Sequence, residues 1–195
     1  MQAARPIFER DGFLDARIAD ITDEAGTATG SFYSYFDSKE EIFEAVVDQL
    51  REEMHHPVSL DVLLNPSDRL VPLIVKHHRG YLRAYKRNAG LMRVVEEVLN
   101  ISDDFRRSWT THAQPVILGN RDAVLQLQEE GRADPALDPL IAGRMLSVLV
   151  SRAAYVTFVL ERERTIGKLA NNLTRMWLNV LKVPVPNGDL AALRD

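Results

Sequence analysis

The chain contains no cysteine, which excludes disulfide scaffolds, thiolate metal sites and thiol nucleophiles and fits a reducing cytoplasm. It also lacks a long apolar run. The most apolar stretch, Met145 to Leu160, falls short of the roughly 20 residues a membrane span needs and carries Arg152. The front, MQAARPIFERDGF, has charges interrupting any apolar segment and no signal-peptide pattern. A soluble cytoplasmic protein with no membrane partner is expected. Convincing strand alternation and hairpin signals are missing too, so an all-α fold is expected. Catalytic signatures are equally scarce. There is no phosphate-cradling glycine loop and no nucleophile elbow. His55-His56 and His77-His78 are adjacent pairs, whose side chains point about 100° apart on a helix, unlike the i, i+4 spacing of a helical metal site. Glu96-Glu97, Asp103-Asp104 and Glu129-Glu130 read as solvated faces. No enzyme activity, metal or cofactor is expected.

A basic front is absent as well. Residues 1–53 hold five Arg or Lys against thirteen Asp or Glu, a net of −8, while the rest of the chain carries +4. Bulk electrostatic adhesion of this segment to nucleic acid is therefore disfavoured, and any contact with phosphate has to come from a few placed groups.

What is present is helical periodicity divided by breakers. A first helix is expected over about residues 2–10, with Ala4, Ile7 and Phe8 apolar and Gly12 as a C′ glycine. A second covers 17–25, with Ile18, Ile21 and Ala25 on one face, and Gly26 follows it. A third, short helix covers 28–36. Ser38-x-x-Glu41 is a capping box opening a fourth, which carries Ile42, Phe43, Val46, Val47, Leu50 and Met54 to about His56-Pro57. Residues 57–66 read as a loop. Further helices are expected at 67–88, 91–99, 103–130 with an interruption at Pro115, 139–162 opened by Asp138-Pro139, and 165–182.

The stretch GTATGSFYSYFDSKEEIF, residues 26–43, packs small residues, hydroxyls and four rings into one short run, residues 26–36, ahead of a charged helical segment. A helix, a glycine-containing turn and a second short helix describe a helix-turn-helix, whose second helix enters the major groove of DNA. On spacing alone the same corner also suits ordinary helical packing. The longer run FERDGFLDARIADITDEAGTATGSFYSYFDSKEEIFEAVV, residues 8–47, resembles the DNA-binding domain of the TetR family of bacterial regulators. Phe8, Gly12-Phe13, Ile21, Ala25-Gly26, Gly30, Tyr33, Phe36, Lys39-Glu40 and Ile42-Phe43 carry the likeness.

The resemblance implies a helix-turn-helix domain at residues 1–46 and a larger ligand-binding and dimerisation domain at 47–195. It implies that the recognition helix meets DNA with its N-terminal turn foremost, where free amides and the helix dipole favour phosphate. Thr27 and Ala28 lie at that turn, and Ala28, Thr29 and Gly30 are small enough for close approach. Thr29 and Ser31 are placed to meet base edges, and Tyr33 and Tyr35 to bond phosphates through their hydroxyls. Lys39 and Arg17 are further phosphate candidates, Arg17 reading equally as a solvated first-turn residue. Phe32 and Phe36 are assigned to the core. The function implied is a regulator, in repressor mode, bound to a palindromic double-stranded operator and released by a small, mainly apolar effector. The alternative is a helical interaction or ligand-binding protein that keeps the scaffold without operator binding.

The C-terminal segments carry a second message. Leu140 to Leu160 is apolar almost all round, which a helix tolerates only when covered on most faces. With the stripe of Ile166, Leu169, Leu173, Met176, Trp177 and Leu181, it suggests a four-helix homodimer interface built from helices 139–162 and 165–182. Pro115 is expected to kink its helix near Trp109 and His112, leaving polar groups available. The resemblance places Tyr81, Tyr85, Met92 and Phe158 opposite, completing an apolar effector pocket with Trp109 and His112. Each of these side chains also suits plain core packing.

Overall fold

The computed structural model of the chain describes residues 1–54, 70–161, 165–185, 188–189 and 193. The His55-His56 pair, the expected loop at 57–66, the expected helix start at 67 and the expected helix end at 162 lie outside them. The described residues are all-α: nine helices and no strand. They gather into two compact units, Met1–His55 with Arg87–Ser108, and His56–Lys86 with Trp109–Asp195. A boundary between residues 46 and 47 falls inside the fourth helix, and the first unit also takes in a helix from the middle of the chain.

The first unit contains α1 (Ala4–Asp15), α2 (Ile18–Glu24), α3 (Thr29–Phe32), α4 (Lys39–Met54), α6 (Ala89–Ile101) and the start of α7 (Asp103–Glu129). Its core is a chain of rings. Phe43 meets Phe8 and Phe13 with centroids 5.1 Å apart and Phe105 at 5.4 Å, joining α1, α4 and α7 in edge and tilted contacts that favour the ring quadrupoles. Phe8 and Phe43 are essentially sealed from solvent.

α1 departs from its expected end. Helical residues continue past Gly12 to Asp15, and Gly12 itself sits at φ 80°, ψ −180°, a break within the element. The break frees the amides of Phe13 and Leu14, and the Glu97 carboxylate on α6 accepts both at 3.2 and 3.1 Å. Only glycine suits the position. The left-handed φ disfavours a side chain, and a Cβ there would stand 2.8 Å from Glu97 Oε2. Around this anchor α1 and α6 are clamped by Arg93 donating to the Glu9 carbonyl at 2.8 Å and by Arg5 donating to Asn88 Oδ1.

The second unit holds α5 (Leu70–Arg87) up to Lys86, the remainder of α7, α8 (Pro139–Tyr155) and α9 (Ile166–Leu181). α7 runs as one helix across Pro115, so the interruption expected there does not occur. Proline removes one backbone donor, a loss that a 27-residue helix absorbs through its remaining ladder. Asp138 caps α8, its carboxylate accepting from Ile141 N–H at 2.8 Å, with Pro139 in the first turn. Past Tyr155 the helix widens into a π-helical segment, Val156–Leu160, with Phe158 buried. Pro139–Leu160 is thus 22 residues long and, by length and composition alone, apolar enough to cross a membrane. It is longer than the apolar stretch legible in the sequence, because helix geometry carries it back to the Asp138 cap. Ala142, Gly143, Leu146, Val150 and Ala154 bury one side of it.

A polar seam ties α5 to α9. His78, Asn171 and Thr174 are fully enclosed, with His78 Nδ1 2.9 Å from Thr174 Oγ1 and Arg79 donating to Asn171 Oδ1 at 3.1 Å. Burial, with a smaller contribution from the neighbouring His77, pushes His78 down from 6.5 to about 3. The unfolded chain therefore binds a proton near pH 6.5 that the folded chain refuses until about pH 3. This contribution to stability is complete above pH 6.5 and is lost as pH falls, by about 1.4 kcal/mol per unit within that window. Urea unfolding at pH 7.0, 6.0 and 5.0 is expected to show a steeper loss for the wild type than for His78→Asn; equal slopes would contradict it.

Candidate nucleic-acid interface

The corner between α2 and α3 follows from its local sequence. Gly26 adopts φ 64°. Its N–H donates to the Asp23 carbonyl and that of Thr27 to the Thr22 carbonyl, both at 3.0 Å, the paired bonds with which a left-handed glycine ends a helix. Thr22 Oγ1 donates to the Ala19 carbonyl at 2.9 Å, so the Thr29 hydroxyl donates to Thr22 Oγ1 at 3.2 Å. That bond fixes the first turn of α3 against α2. The single Thr29 proton is directed inward, leaving its oxygen as an acceptor only.

The third element is shorter than expected. α-Helix covers Thr29–Phe32, and Tyr33 to Tyr35 form turns, with Tyr35 N–H and Phe36 N–H both donating to the Phe32 carbonyl at 2.9 and 3.0 Å. Gly30, Ser31, Tyr33 and Ser34 are weak helix formers, and a segment this short gains little from cooperativity. The element still divides into two faces. Phe32 is buried and packs against Phe36 at 5.6 Å, while Tyr33 and Tyr35 are 57% and 79% exposed. Thr27, Ala28, Thr29, Gly30, Ser31 and Ser34 also lie on the surface. Ser34, between the two tyrosines, is a hydroxyl that the spacing argument passed over.

Gly30 calls for a reason outside the chain. Its φ is not left-handed, and a Cβ added there would meet nothing within 4 Å. A glycine inside a helix costs about 1 kcal/mol relative to alanine, and neither backbone nor packing requires it here.

The cations of this region are committed. Lys39, expected at a phosphate, directs its ammonium to the carbonyls of Phe13, Leu14 and Ala16 at 2.7, 3.0 and 2.9 Å and lies 4.8 Å from the centroid of the Phe13 ring. An ammonium has three donors, and these three carbonyls at the end of α1 take all of them. Arg17, exposed ahead of α2, pairs with Asp20 at 3.0 Å. Arg10 pairs with Asp11, and that hydrogen bond holds the Asp11 carboxyl below the ordinary carboxylate range. Arg5 pairs with Glu9 and Glu53, and Arg51 with Glu44 and Asp48. Ser38 caps α4, accepting from Glu41 N–H at 3.1 Å, while the Glu41 carboxylate reaches back to Asp37 N–H, one residue earlier than a capping box requires.

The residues expected around an effector are distributed differently. Tyr81 and Tyr85 meet on α5 in the second unit as tilted rings with centroids 5.9 Å apart, Tyr85 fully buried. Phe158 is buried in the same unit, Trp109 is half-buried and His112 is exposed on α7. Met92 is buried on α6, which belongs to the first unit. Among the described residues no group of three His, Asp or Glu is arranged to hold a metal ion.

Residues 1–46 match the family described as bacterial regulatory proteins, tetR family. The chain is 22% identical over 192 residues, 96% of its length and 87% of the relative's, to the HTH-type transcriptional regulator EthR of Mycolicibacterium smegmatis. Among solved structures, Salmonella enterica GusR superposes with a TM-score of 0.71 at 21% identity, covering 93% of this chain and 92% of that one. FadR of Bacillus subtilis, solved with stearoyl-CoA, superposes with a TM-score of 0.67 at 15% identity, covering 92% and 96%. These two likenesses establish a common fold.

The committed ammonium of Lys39 carries a test. Lys39→Met keeps the stem over Phe13 and removes three hydrogen bonds, and is expected to lower unfolding stability by about 1–3 kcal/mol. Urea titration checks this, and an unchanged midpoint would return Lys39 to a solvent-facing role.

Proposed function

We propose that the chain is a DNA-binding transcriptional regulator of the TetR family, a repressor whose homodimer holds a palindromic operator until a small, mainly apolar effector binds. The observation that carries the reading is the two-faced third element. Phe32 anchors it, Tyr33 and Tyr35 stand exposed beside it, and Gly30 leaves a flat approach at its start. Backbone amides at a helix start and tyrosine hydroxyls bond phosphate without needing a positive field. Such contacts suit a front with a net charge of −8 over residues 1–53. Thr27, Ala28 and Gly30 bring backbone close, Ser31 and Thr29 offer hydroxyl oxygens to base edges, and Arg17 reaches phosphate by exchanging its surface partner Asp20. Lys39 serves as a positioning residue through the α1 carbonyls.

The dimer is assigned to α8 and α9. Ile141, Met145 and Val148 on α8 and Met176 and Val180 on α9 are exposed at helical spacing, leaving an apolar face on each helix for a partner. A two-fold dimer sets two recognition elements one helical turn of DNA apart, or a multiple of it, on a palindromic site. The effector reading rests on the aromatic lining of the second unit, Tyr81, Tyr85 and Phe158, and on FadR having been solved with stearoyl-CoA. The acidic front favours one other reading, a scaffold protein without operator binding, which predicts no retardation of its own upstream DNA in a mobility-shift assay.

Two substitutions separate contact from fold. Tyr33→Ala removes a hydrogen bond to a charged group, about 1.5–3 kcal/mol, so operator affinity in the shift assay is expected to fall by tenfold or more. Sedimentation is expected to show the dimer intact, and unchanged affinity would refute this docking. Gly30→Ala is expected to leave the melting temperature equal or higher, because helix propensity improves, while weakening operator binding through the added methyl. Full affinity in that variant would remove the close approach from the reading.

A further inference from the structure

α5 presents a helix face of a single charge sign. It holds five Lys or Arg among its 18 residues and no Asp or Glu, in a chain whose net charge is −4. Its buried stripe is Val71, Ile74, Val75, His78, Leu82 and Tyr85. Lys76, Arg79, Arg83 and Lys86 follow one another at i, i+3, i+7 and i+10, a second stripe on the side away from the first. Lys76 and Arg83 are exposed, and Arg79 and Lys86 are half-buried at the edge of that stripe. Among the described residues neither Lys76 nor Arg83 has an ion-pair or hydrogen-bond partner, and Arg79 donates to the neutral amide oxygen of Asn171.

Neither solubility nor helix stability accounts for the cationic stripe. Like charges three or four residues apart repel along a helix, and a solvated surface ordinarily mixes both signs. The cations of residues 1–53, by contrast, close ion pairs and a helix end, so the acidic front offers little attraction to phosphate. Proteins that work on duplex DNA draw their sequence-independent affinity from Lys and Arg that displace counterions from phosphate, and a basic stripe along a helix is the footprint of that contact. At a rise of 1.5 Å per residue the row runs about 15 Å from Lys76 to Lys86, the length of about four phosphates along one strand. The apolar stripe of α5 is buried in the fold, so the helix has no face to insert into a lipid surface, which favours a duplex over a membrane as the polyanion. We propose that this face of α5 docks the phosphate backbone of duplex DNA without regard to sequence, with Lys76, Arg79, Arg83 and Lys86 as the contacting cations. The proposal rests on the reading of the chain as a DNA-binding regulator and adds to it a contact made by the second unit, outside the reading element.

The test is binding of the full chain to a random-sequence duplex, followed by fluorescence anisotropy between about 0.05 and 0.2 M salt. Each phosphate neutralised adds about 0.9 to the slope of log affinity against log salt. Lys76→Gln combined with Arg83→Gln is expected to flatten the wild-type slope by about 2 and to weaken binding at the low-salt end by about tenfold or more. Arg107→Gln combined with Arg132→Gln removes the same charge from ion pairs on α7 and just beyond it, and is expected to leave the slope unchanged. Tyr33→Ala keeps every cation and is expected to keep the slope while operator affinity falls, so the reading element and the α5 face succeed or fail separately. An absence of random-duplex binding by the wild type would overturn the proposal, as would an unchanged slope in the Lys76 and Arg83 variant or an equal loss in the Arg107 and Arg132 variant. Retention on phosphatidylserine vesicles that depends on Lys76 and Arg83, in a protein that leaves the duplex free, would overturn it too. Lys76 and Arg83 are exposed and have no described bond to lose, so the melting temperature of their variant is expected to stay at the wild-type value.

Discussion

The break in α1 at Gly12 is the constraint on which the DNA-reading unit depends. A helix interrupted near its end exposes amides on one side and carbonyls on the other, and each set must be satisfied or left to water. Here Glu97 of α6 takes the amides of Phe13 and Leu14, and Lys39 of α4 takes the carbonyls of Phe13, Leu14 and Ala16. Two opposite charges from two helices therefore close on one short stub, residues 13–16. The stub carries Phe13 into the ring cluster with Phe8 and Phe43, so polar closure and apolar packing reinforce each other.

That closure explains how an acidic front is compatible with the proposed DNA binding. The cations of residues 1–53 serve ion pairs and helix ends, so they create no broad positive field. What reaches the surface is hydroxyl and backbone, arranged by a corner whose glycine turn and Thr22–Thr29 bond hold α3 against α2. In the proposed reading recognition is geometric: it relies on a short element carried by Phe32, and less on long-range attraction.

The second unit follows different rules. α8 and α9 each bury one face and expose another apolar one, which the proposed dimer would cover. Between α5 and α9, by contrast, the contact is polar and enclosed, with His78, Asn171 and Thr174 inside. Burial holds His78 far below the ordinary histidine range and makes that seam sensitive to acid.

Periodicity and breakers determined most of the helices, since a 3.6-residue apolar stripe bounded by caps such as Ser38 and Asp138 leaves few alternatives. Residues 26–43 marked the candidate reading element only through the family likeness of residues 8–47, since their spacing alone also suits ordinary helical packing. The sequence alone was silent where an outcome depends on residues far apart in the chain. Glu97 lies 84 residues from Phe13, so nothing local revealed that Gly12 interrupts α1 without ending it, or that Lys39 is spent on carbonyls. Pro115 misled for a related reason: a breaker's local cost was overcome by the length of the helix around it. His77-His78 read only as an adjacent pair unlike a metal site, and only the packing of α5 on α9 decided that His78 would be enclosed against Thr174 and the Trp177 ring. Local propensity fixes elements within one or two turns; satisfaction of polar groups is settled only when distant helices meet.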